Sequence, residues 1–414
     1  MKVVVSDLFS DSTVETLREA GLECHYDHTL KGQELKQLLV EEQPQILLVR
    51  STRLTADTLS AAGSLELIVR AGTGTDGIDL GEASRKGILV AHCPGMSAMA
   101  VAELVFGLIC AADRSIPENV GGLREGVWNK GRQAAGLYGK TLGIVGLGDI
   151  GVQVAQRAKA FGMIPLGYDP RLSKTQTEEL GLKHRDGLLA LVQESDMLTF
   201  HVPNTKETRH MLTAELLLAC KPEALIVNTS RWDVVSEEEL LAALEAKPGL
   251  RYACDCHRME PMEYVADYRS RLAVHPRVYG TCHIGSFTKQ AEEAFDAEAI
   301  ALILHYANTR KVLAKHCANR TRSSPATHSL EVRVLNTPGT LASVVSCIAA
   351  ANWQVLEIES ALFQGAEACR ASLNFLPADL EAVPTVLQQI NSLPGVLSAD
   401  CFLMTQDAEE KPDS

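Results

Sequence analysis

Three side chains of types that can act on an anionic substrate stand at or just after the ends of predicted β-strands. Arg231 ends the run ALIVNTSR, Glu260 follows RYACDCH, and His283 is the next-to-last residue of VYGTCHI. A guanidinium can bind a carboxylate, an imidazole can move a hydroxyl proton, and a carboxylate can orient that imidazole. Taken singly, an arginine at a strand end is usually solvated and a lone histidine is usually structural. Together, the three predict proton transfer beside a bound carboxylate.

A glycine pattern that can hold a dinucleotide lies upstream of these residues. Gly146, Gly148 and Gly151 form G-x-G-x-x-G after a predicted strand, where backbone N–H groups and a helix N-terminus can approach a pyrophosphate. Asp169 ends the next predicted strand, and its carboxylate favours the ribose of NAD over the 2′-phosphate of NADP. Arg171 nearby leaves NADP open, and a glycine-rich turn with a surface aspartate is the alternative. Beside such a fingerprint, the three side chains above predict hydride transfer on a 2-hydroxy acid.

Three regions supply the elements that must position these side chains. Up to residue 97, five short apolar runs alternate with predicted helices, which indicates a parallel sheet covered on both faces. From 141 to 284, six predicted strands with intervening helices match the two-halved Rossmann architecture. From 326 onward, the order βαββαβ describes an antiparallel sheet with helices on one face. The predicted fold class is α/β, with two doubly wound Rossmann-like domains and a C-terminal ferredoxin-like domain.

The composition narrows the class of protein and its partners. Charged residues make up 22% of 414 residues, and the formal net charge of -13 argues against binding to nucleic acid or an anionic membrane. Eleven cysteines show no paired framework, and MKVVVSDLFS meets an aspartate too early for a signal-peptide core. The longest apolar helix candidate, MAVAELVFGLICAA, is too short to span a bilayer. These features predict a cytoplasmic protein.

Seven sequence blocks follow the order of one known family. They are VRAGTGTDGIDL (69–80), YGKTLGIVGLGDIG (138–151), GYDP (167–170), HVPNTKETRHML (201–212), NTSR (228–231), DCHRMEP (255–261) and CHIGSFTKQA (282–291). On these blocks the chain resembles the D-2-hydroxyacid dehydrogenase family, and within it the D-3-phosphoglycerate dehydrogenases that carry a C-terminal ACT domain. The resemblance implies NAD-dependent oxidation of D-3-phosphoglycerate to 3-phosphohydroxypyruvate, the entry to serine synthesis.

The resemblance also implies a substrate-binding domain that is split in sequence. Residues 1–97 would form its first part, 98–285 the inserted NAD-binding Rossmann domain, and 286–325 the return segment and linker. An ACT regulatory domain would span 326–405, followed by a disordered acidic tail at 406–414. The active site would lie in the cleft between the substrate-binding and NAD-binding domains, where closure expels water.

Roles of individual residues follow from the same resemblance. Arg231 would bind the substrate carboxylate and carbonyl oxygen, His283 would be the general acid/base, and Glu260 would hold the imidazole and raise its pKa. Arg50, Ser51 and Arg70 match positions that would hold the substrate's acidic end, and Gly72 and Arg231 are further substrate-binding positions. The positions that would contact NAD are Thr73, Gly146, Gly148, Asp149, Ile150, Gly151, Asp169, Val202, Thr229, Ser230, Asp255, His283 and Gly285.

Assembly and regulation are implied in the same way. VWNK (127–130) resembles an arm that crosses to a neighbouring subunit, which predicts a homodimer or homotetramer with Trp128 in an interface and Lys130 near the other active site. In the ACT region, Asn336 matches a position that faces an amino-acid effector, classically serine. Val334 stands where bacterial relatives have a histidine. Weak serine binding, a different amino acid, and an assembly interface without an effector therefore stay open.

Three departures from the family pattern concern the pocket. Trp232 follows Arg231 where glycine is usual, and the turn PGMSA (94–98) replaces P-x-G-N-S. In CDCH (254–257), no metal is expected, because alternation along a strand puts the two cysteines on one face and the histidine on the other. The altered pocket favours a rival substrate, another D-2-hydroxy acid such as glyoxylate, hydroxypyruvate or 2-oxoglutarate. A non-catalytic NAD-sensing protein is the alternative from another class.

Overall fold

A computed structural model of the chain describes four stretches of residues: 1–131, 133–261, 265–320 and 325–404. They divide into two units, Met1–Asn319 and Arg320–Ser414. The predicted tail at 406–414 lies outside the described residues. In the stretches that are described, no helix is both long enough and apolar enough to cross a bilayer.

The first sheet of unit one is parallel throughout. Its strands and helices are β1 (Lys2–Val5), α1 (Asp11–Glu19), β2 (Glu23–Tyr26), α2 (Gly32–Glu42), β3 (Ile46–Val49), α3 (Ala56–Ala61), β4 (Leu67–Arg70), α4 (Leu80–Arg85) and β5 (Leu89–His92). The strand order is β2-β1-β3-β4-β5. All four residues of β3 are buried, as the apolar run predicts for a strand covered on both faces. The predicted parallel sheet is confirmed.

The second sheet of unit one is parallel as well and has seven strands. Two helices, α5 (Ala98–Arg114) and α6 (Ile116–Arg124), precede it. Its elements are β6 (Thr141–Val145), α7 (Asp149–Ala160), β7 (Ile164–Tyr168), α8 (Lys174–Glu179), β8 (Lys183–His184), α9 (Leu188–Glu194), β9 (Met197–Phe200), α10 (Ala214–Ala219), β10 (Leu225–Asn228), α11 (Glu237–Ala246), β11 (Arg251–Cys254) and β12 (Val278–Gly280). The order β12-β11-β10-β9-β6-β7-β8 is that of a Rossmann sheet.

The second sheet has one strand more than the six that the sequence predicts. The two-residue β8, Lys183–His184, pairs with Leu166 and Gly167 at the sheet edge. Two residues carry no periodicity, so a sequence pattern cannot distinguish such a strand from a loop.

The long helix α12 (Lys289–Thr309) follows the second sheet but belongs to the first core. Its buried side chains Phe295 and Ile303 pack in one apolar cluster with Val3 and Ile46 of the first sheet. The chain therefore returns to its first sheet after completing the second.

Unit two is a four-stranded antiparallel sheet with two helices. Its elements are β13 (His328–Leu335), α13 (Thr340–Ala350), β14 (Gln354–Leu362), β15 (Ala368–Leu376), α14 (Val383–Asn391) and β16 (Val396–Leu403). The order β14-β15-β13-β16 is that of a ferredoxin-like module. Val332 and Phe375 from the sheet share one buried cluster with Val344 of α13 and Ile390 of α14. Both helices thus cover the same face of the sheet.

Candidate active site

The turn between β6 and α7 has the geometry that a dinucleotide pyrophosphate needs. Gly146 adopts φ +88°, and a Cβ there would overlap the carbonyl oxygen of His201. A Cβ on Gly151 would overlap the carbonyl oxygen of Gly146. Around Gly148, by contrast, no neighbouring atom of the described residues lies within 4 Å of the Cβ position, and no side chain caps α7. The space beside this helix end is therefore open among the described residues, and an anion can bind there to the uncapped N–H groups.

Asp169 lies just past β7, where the adenosine ribose of a dinucleotide would bind. Its Oδ2 accepts hydrogen bonds from the backbone N–H of Leu147 at 3.0 Å and from Nη2 of Arg171 at 2.8 Å. Its Oδ1 accepts from the backbone N–H and Nε of Arg171, both at 3.0 Å. Burial alone would raise the pKa of Asp169, but these hydrogen bonds outweigh it and lower the pKa to about 2. The carboxylate is therefore charged, and Arg171 neutralises it.

Residues after β9 and β10 continue the dinucleotide surface. The Thr229 hydroxyl is buried and has no hydrogen-bond partner in the described part of the chain. Ser230 donates from its backbone N–H and Oγ to Oδ1 of Asn228, at 3.1 and 2.8 Å. Val202 borders the glycine turn, 3.1 Å from the Cβ position of Gly146. A buried hydroxyl without a partner is costly unless a ligand group pairs with it, so these residues fit a bound NAD.

The altered turn at 94–98 contacts Thr73 on the loop after β4 and Asp149 at the start of α7. Ser97 Oγ lies 3.3 Å from Oγ1 of Thr73, a residue of the first sheet's loops. Oδ2 of Asp149 lies 3.1 Å from the Cβ position of Gly95. Ile150, next to Asp149, packs against the apolar core of the Rossmann sheet. The turn therefore links the loop after β4 to the first turn of α7.

His283 and Glu260, predicted to act together, are in direct contact. Nδ1 of His283 donates to Oε2 of Glu260 at 2.6 Å, and the backbone N–H of His257 donates to Oε1 of Glu260 at 2.7 Å. Nε2 of His257 lies 2.8 Å from the carbonyl oxygen of Thr281. The His283 side chain is 53% exposed, so its Nε2 edge can reach a substrate. His257 therefore supports both partners, a role that its place in CDCH did not reveal.

The pKa values of the pair move in opposite directions. The hydrogen bond to Glu260 raises the pKa of His283 above 6.5, against the opposing effects of burial and Arg231. Burial would raise the pKa of Glu260, but the hydrogen bonds from His283 and from the His257 backbone lower it. The arrangement favours a charged imidazole beside a charged carboxylate.

Asp255 organises the turn that carries His283. Its Oδ1 accepts from Oγ1 of Thr281 at 2.6 Å and from the backbone N–H of Ile284 at 2.8 Å. Its Oδ2 accepts from the backbone N–H of Gly285 at 2.7 Å. His283 itself adopts φ +54°, a left-handed conformation that favours glycine. The buried Asp255 carboxylate thus holds a strained turn in place from both sides of His283.

Arg231 is held by a residue that sequence reasoning missed. Its Nε and Nη2 donate to Oδ2 of Asp76 at 3.1 and 2.8 Å, and its Nη1 donates to the carbonyl oxygen of Ser230 at 2.8 Å. A Cβ on Gly74 would overlap Nη2 of Arg231, so the guanidinium lies directly against the loop after β4. Asp76 lies 155 residues from Arg231 in sequence, which is why only the fold reveals the pair.

Arg70 and Gly72 extend this arrangement along the same loop. The Arg70 guanidinium folds over the backbone of Gly72, where a Cβ would overlap Nη1. Burial and the nearby Arg231 lower the pKa of Arg70, while Asp76 opposes that shift. Two guanidiniums and the loop backbone therefore face one another, which suits a carboxylate-bearing ligand.

Arg50 and Ser51 are engaged by carboxylates in this structure. Nη2 of Arg50 lies 2.5 Å from Oδ1 of Asp296, and its guanidinium lies 4.7 Å from the Phe9 ring centroid. Asp7 accepts from the backbone N–H groups of Arg50 and Ser51 at 2.7 and 3.0 Å, and from the Ser51 hydroxyl at 3.0 Å. A substrate phosphate would have to compete with Asp296 for Arg50.

Cys254 and Cys256 of the CDCH segment are buried. Burial raises the pKa of the Cys254 thiol to about 12 and that of Cys256 well above its usual value. No group of three or more metal-ligating side chains occurs among the residues that the structure describes. Asn336 belongs to unit two, where its Nδ2 donates to the carbonyl oxygen of Ala366 at 2.8 Å.

Comparisons with known proteins identify the family. Residues 106–285 match the NAD binding domain of D-isomer specific 2-hydroxyacid dehydrogenases. A D-3-phosphoglycerate dehydrogenase of Methanocaldococcus jannaschii is 38% identical over 296 residues, 71% of this chain and 55% of that protein. A hydroxypyruvate reductase of Thermotoga maritima is 38% identical over 305 residues, 73% of this chain and 97% of that protein. The chain spans about half the length of the phosphoglycerate dehydrogenases that it matches.

Solved structures agree with this assignment. An NAD-bound 3-phosphoglycerate dehydrogenase of Entamoeba histolytica superposes with a TM-score of 0.63 at 25% identity, covering 77% of this chain and 99% of that chain. An NAD-dependent formate dehydrogenase of Staphylococcus aureus, solved with NAD, gives 0.67 at 26% identity, covering 78% of this chain and 100% of that chain. NAD is therefore the cofactor that the second parallel sheet and its loops bind. The chain belongs to the D-isomer specific 2-hydroxyacid dehydrogenase family.

Proposed function

We propose that the protein oxidises D-3-phosphoglycerate to 3-phosphohydroxypyruvate with NAD. The observation that carries the proposal is the placement of the His283–Glu260 pair and Arg231 at the same sheet edge as the dinucleotide turn. Relatives named D-3-phosphoglycerate dehydrogenase from several organisms, at 34–38% identity, support this substrate.

The proposed chemistry divides between the cofactor and the chain. NAD, when bound, supplies the acceptor for the hydride that leaves the substrate's C2. Arg231 binds the substrate carboxylate and the C2 oxygen through N–H groups that Asp76 and Ser230 leave available. His283 accepts the hydroxyl proton at Nε2, while Glu260 holds Nδ1–H and so fixes the tautomer. In the reverse reduction, the same Nε2 returns the proton to the carbonyl oxygen.

The acidic end of the substrate is assigned to the loops of the first sheet. Arg70 and the backbone of Gly72 lie beside Arg231 and offer positive charge and N–H donors. Arg50 and Ser51 would reach the phosphate once a bound substrate displaces Asp296 from Arg50. Thr73, tied to Ser97, would mark the boundary between substrate and cofactor.

A second candidate, reduction of hydroxypyruvate or a similar small 2-oxo acid, has one specific observation in its favour. The Thermotoga maritima hydroxypyruvate reductase matches this chain over 97% of its length. Glyoxylate and 2-oxoglutarate belong to the same class of substrate. Trp232 in place of glycine and the PGMSA turn are the features that would reshape the pocket for such acids.

A direct comparison of substrates decides between the two candidates. Purified protein would be assayed for NADH consumption with 3-phosphohydroxypyruvate, hydroxypyruvate, glyoxylate and 2-oxoglutarate in parallel. We expect the highest kcat/KM with the phosphorylated acid. A preference for an unphosphorylated acid overturns the phosphoglycerate proposal, and NAD binding without turnover of any of them supports the alternative of an NAD-sensing protein.

Regulation and assembly are proposed for unit two and for the 127–130 segment. We propose that unit two is an ACT domain whose Asn336 faces an amino-acid effector such as serine. The exposed Trp128, with 84% of its surface accessible, supports a subunit interface in a homodimer or homotetramer. Inhibition of turnover by serine tests the effector site, and a molar mass measured by light scattering tests the homodimer or homotetramer. An absence of any serine effect would favour an assembly role for unit two.

A cytoplasmic location is proposed as well. All eleven cysteines are free thiols, which suits a reducing compartment. The net charge of -13 argues against general binding to nucleic acid or to an anionic membrane.

A further inference from the structure

Trp232 lies between the two segments that carry the candidate catalytic side chains. It follows Arg231 directly and begins the short 3-10 turn Trp232–Val234 after β10. The guanidinium carbon of Arg258 lies 5.7 Å from the centroid of the Trp232 ring. Arg258 precedes Glu260 by one intervening residue, Met259. A cation over an indole face is attracted by the negative charge density of the ring.

Arg258 and Met259, the two residues just before Glu260, are exposed. Met259 is 85% exposed and adopts φ +58°, a strained conformation for a side-chain-bearing residue. The Tyr268 hydroxyl lies 3.4 Å from the carbonyl oxygen of Arg258, at the long end of hydrogen-bond distances. The Trp232 ring adds a large apolar surface beside this segment, where the Tyr268 ring also packs edge-on against His257 with the ring centroids 6.0 Å apart.

The orientation of Trp232 agrees with this role. The ring lines a small cavity together with His257 and Arg258, and with Leu240 and Tyr252 of the Rossmann sheet and its helix α11. Trp232 thus faces the segment before Glu260. The same segment contains the His257 backbone N–H, which donates to Glu260.

We propose that Trp232 and Arg258 form a clamp that positions Glu260 against His283. The clamp joins the turn of Arg231 to the segment of Glu260, so that the groups that bind and deprotonate the substrate keep a fixed spacing. Trp232 and Arg258 are positioning residues, since they act on His283 through the segment that carries Glu260. The proposal rests on the acid/base role proposed for His283.

The test uses the pKa of His283, read by NMR titration of the ligand-free protein, with His283→Asn to assign the signal. Among the residues that the structure describes, Glu260, Asp255 and Arg231 shift the pKa of His283, and all three stay in every variant. In Trp232→Leu and in Arg258→Gln, we expect the His283 pKa to fall toward its ordinary value. Loss of the positive charge at Arg258 would by itself raise that pKa, so a fall reports a looser Glu260 contact.

Two further comparisons sharpen the test. The double variant should show no larger shift than one single variant, because both changes open the same contact. Arg269→Gln, which removes an exposed arginine paired with Asp267, is the matched control and should leave the His283 pKa unchanged. With an active substrate, kcat should fall about two- to fivefold in both single variants, the factor that corresponds to a cation–π contact at an exposed site.

An unchanged His283 pKa in both single variants would overturn the clamp. A rise in KM alone for Trp232→Leu, with the His283 pKa unchanged, would instead mean that Trp232 lines the substrate pocket, and it would overturn the clamp too. The NMR titration needs no substrate. A wild-type protein without dehydrogenase activity would therefore refute the proposed function, and the titration would still test the clamp.

Discussion

His283 can take a proton from a substrate only when it is neutral, and its surroundings move the pH at which it becomes so. The Glu260 hydrogen bond raises its pKa above 6.5. A group with a raised pKa stays protonated to higher pH, so oxidation should be slow below that value and rise through it. Reduction, which needs the protonated imidazole, should show the opposite trend.

The first prediction concerns this pH dependence. We expect kcat/KM for oxidation in the wild-type protein to rise with pH through a midpoint above 6.5. In Glu260→Gln the midpoint should move down, because the carboxylate no longer stabilises the imidazolium. Both midpoints are measured from steady-state rates between about pH 5.5 and about pH 9.5, a range that includes the ordinary imidazole pKa of about 6.5. A flat profile in the wild-type protein would remove His283 from the acid/base role.

The second prediction concerns Arg171 and the choice of cofactor. Arg171 occupies both oxygens of Asp169, so it weakens the repulsion of a 2′-phosphate and competes with the ribose of NAD. Arg171→Ala should weaken NADP binding by on the order of tenfold, the loss of one charge-assisted contact, without weakening NAD. Dissociation constants for both dinucleotides measure this, with Lys174→Ala as the control. An unchanged ratio of the two constants would show that Arg171 has no part in selectivity.

The third prediction concerns Asp76. The Arg231–Asp76 pair is partly exposed, with side chains 30% and 55% accessible, so its contribution is about 1 kcal/mol. In Asp76→Ala, Arg231 loses its support and KM for the substrate should rise about fivefold, with a smaller change in kcat. Asp57→Ala removes a similarly exposed pair with Lys36 and should not change KM. A lower KM in Asp76→Ala would mean that Asp76 competes with the substrate for Arg231.

At the scale of elements, the strands and their loops were predictable to different degrees. Apolar runs separated by helical patterns placed both parallel sheets, because buried strands need such runs. The side chains that follow β10, β11 and β12 could be assigned to one edge of the sheet, because the carboxyl ends of parallel strands meet there. The partners Asp76 and Asp7 could not, because their hydrogen bonds join residues 155 and 43 positions apart and depend on loop geometry.

The fourth prediction compares two glycines of one turn. Gly151→Ala places a Cβ against the Gly146 carbonyl oxygen, and such overpacking costs about 1–3 kcal/mol, or about 2–4 °C in Tm for each kcal/mol. In Gly148→Ala, the added Cβ meets no neighbouring atom of the described residues, but it occupies space that a bound pyrophosphate would need. It should keep the wild-type Tm and bind NAD on the order of tenfold more weakly. Calorimetry and NAD titration of both variants test the turn; an equal loss of Tm in both would contradict the assigned geometry.

At the scale of the whole molecule, the proposed site is built from distant parts of unit one. Arg70 and Asp76 come from the first sheet and its loops, while Arg231, Glu260 and His283 come from the second. The chain carries a net charge of -13, so it repels an anionic substrate at long range. The local guanidiniums must offset that repulsion at contact distance, where ions in solution screen least.

The central claim is that His283 transfers the proton at a hydride-transfer site, and one comparison tests it most directly. NADH consumption with 3-phosphohydroxypyruvate would be measured for the wild-type protein and for His283→Ala, together with the dissociation constant for NADH. We predict turnover by the wild-type protein and a loss of at least ~100-fold in His283→Ala with NADH affinity retained, as removal of a general acid/base requires. A His283→Ala variant that keeps the wild-type rate, or a wild-type protein without turnover, would contradict the account.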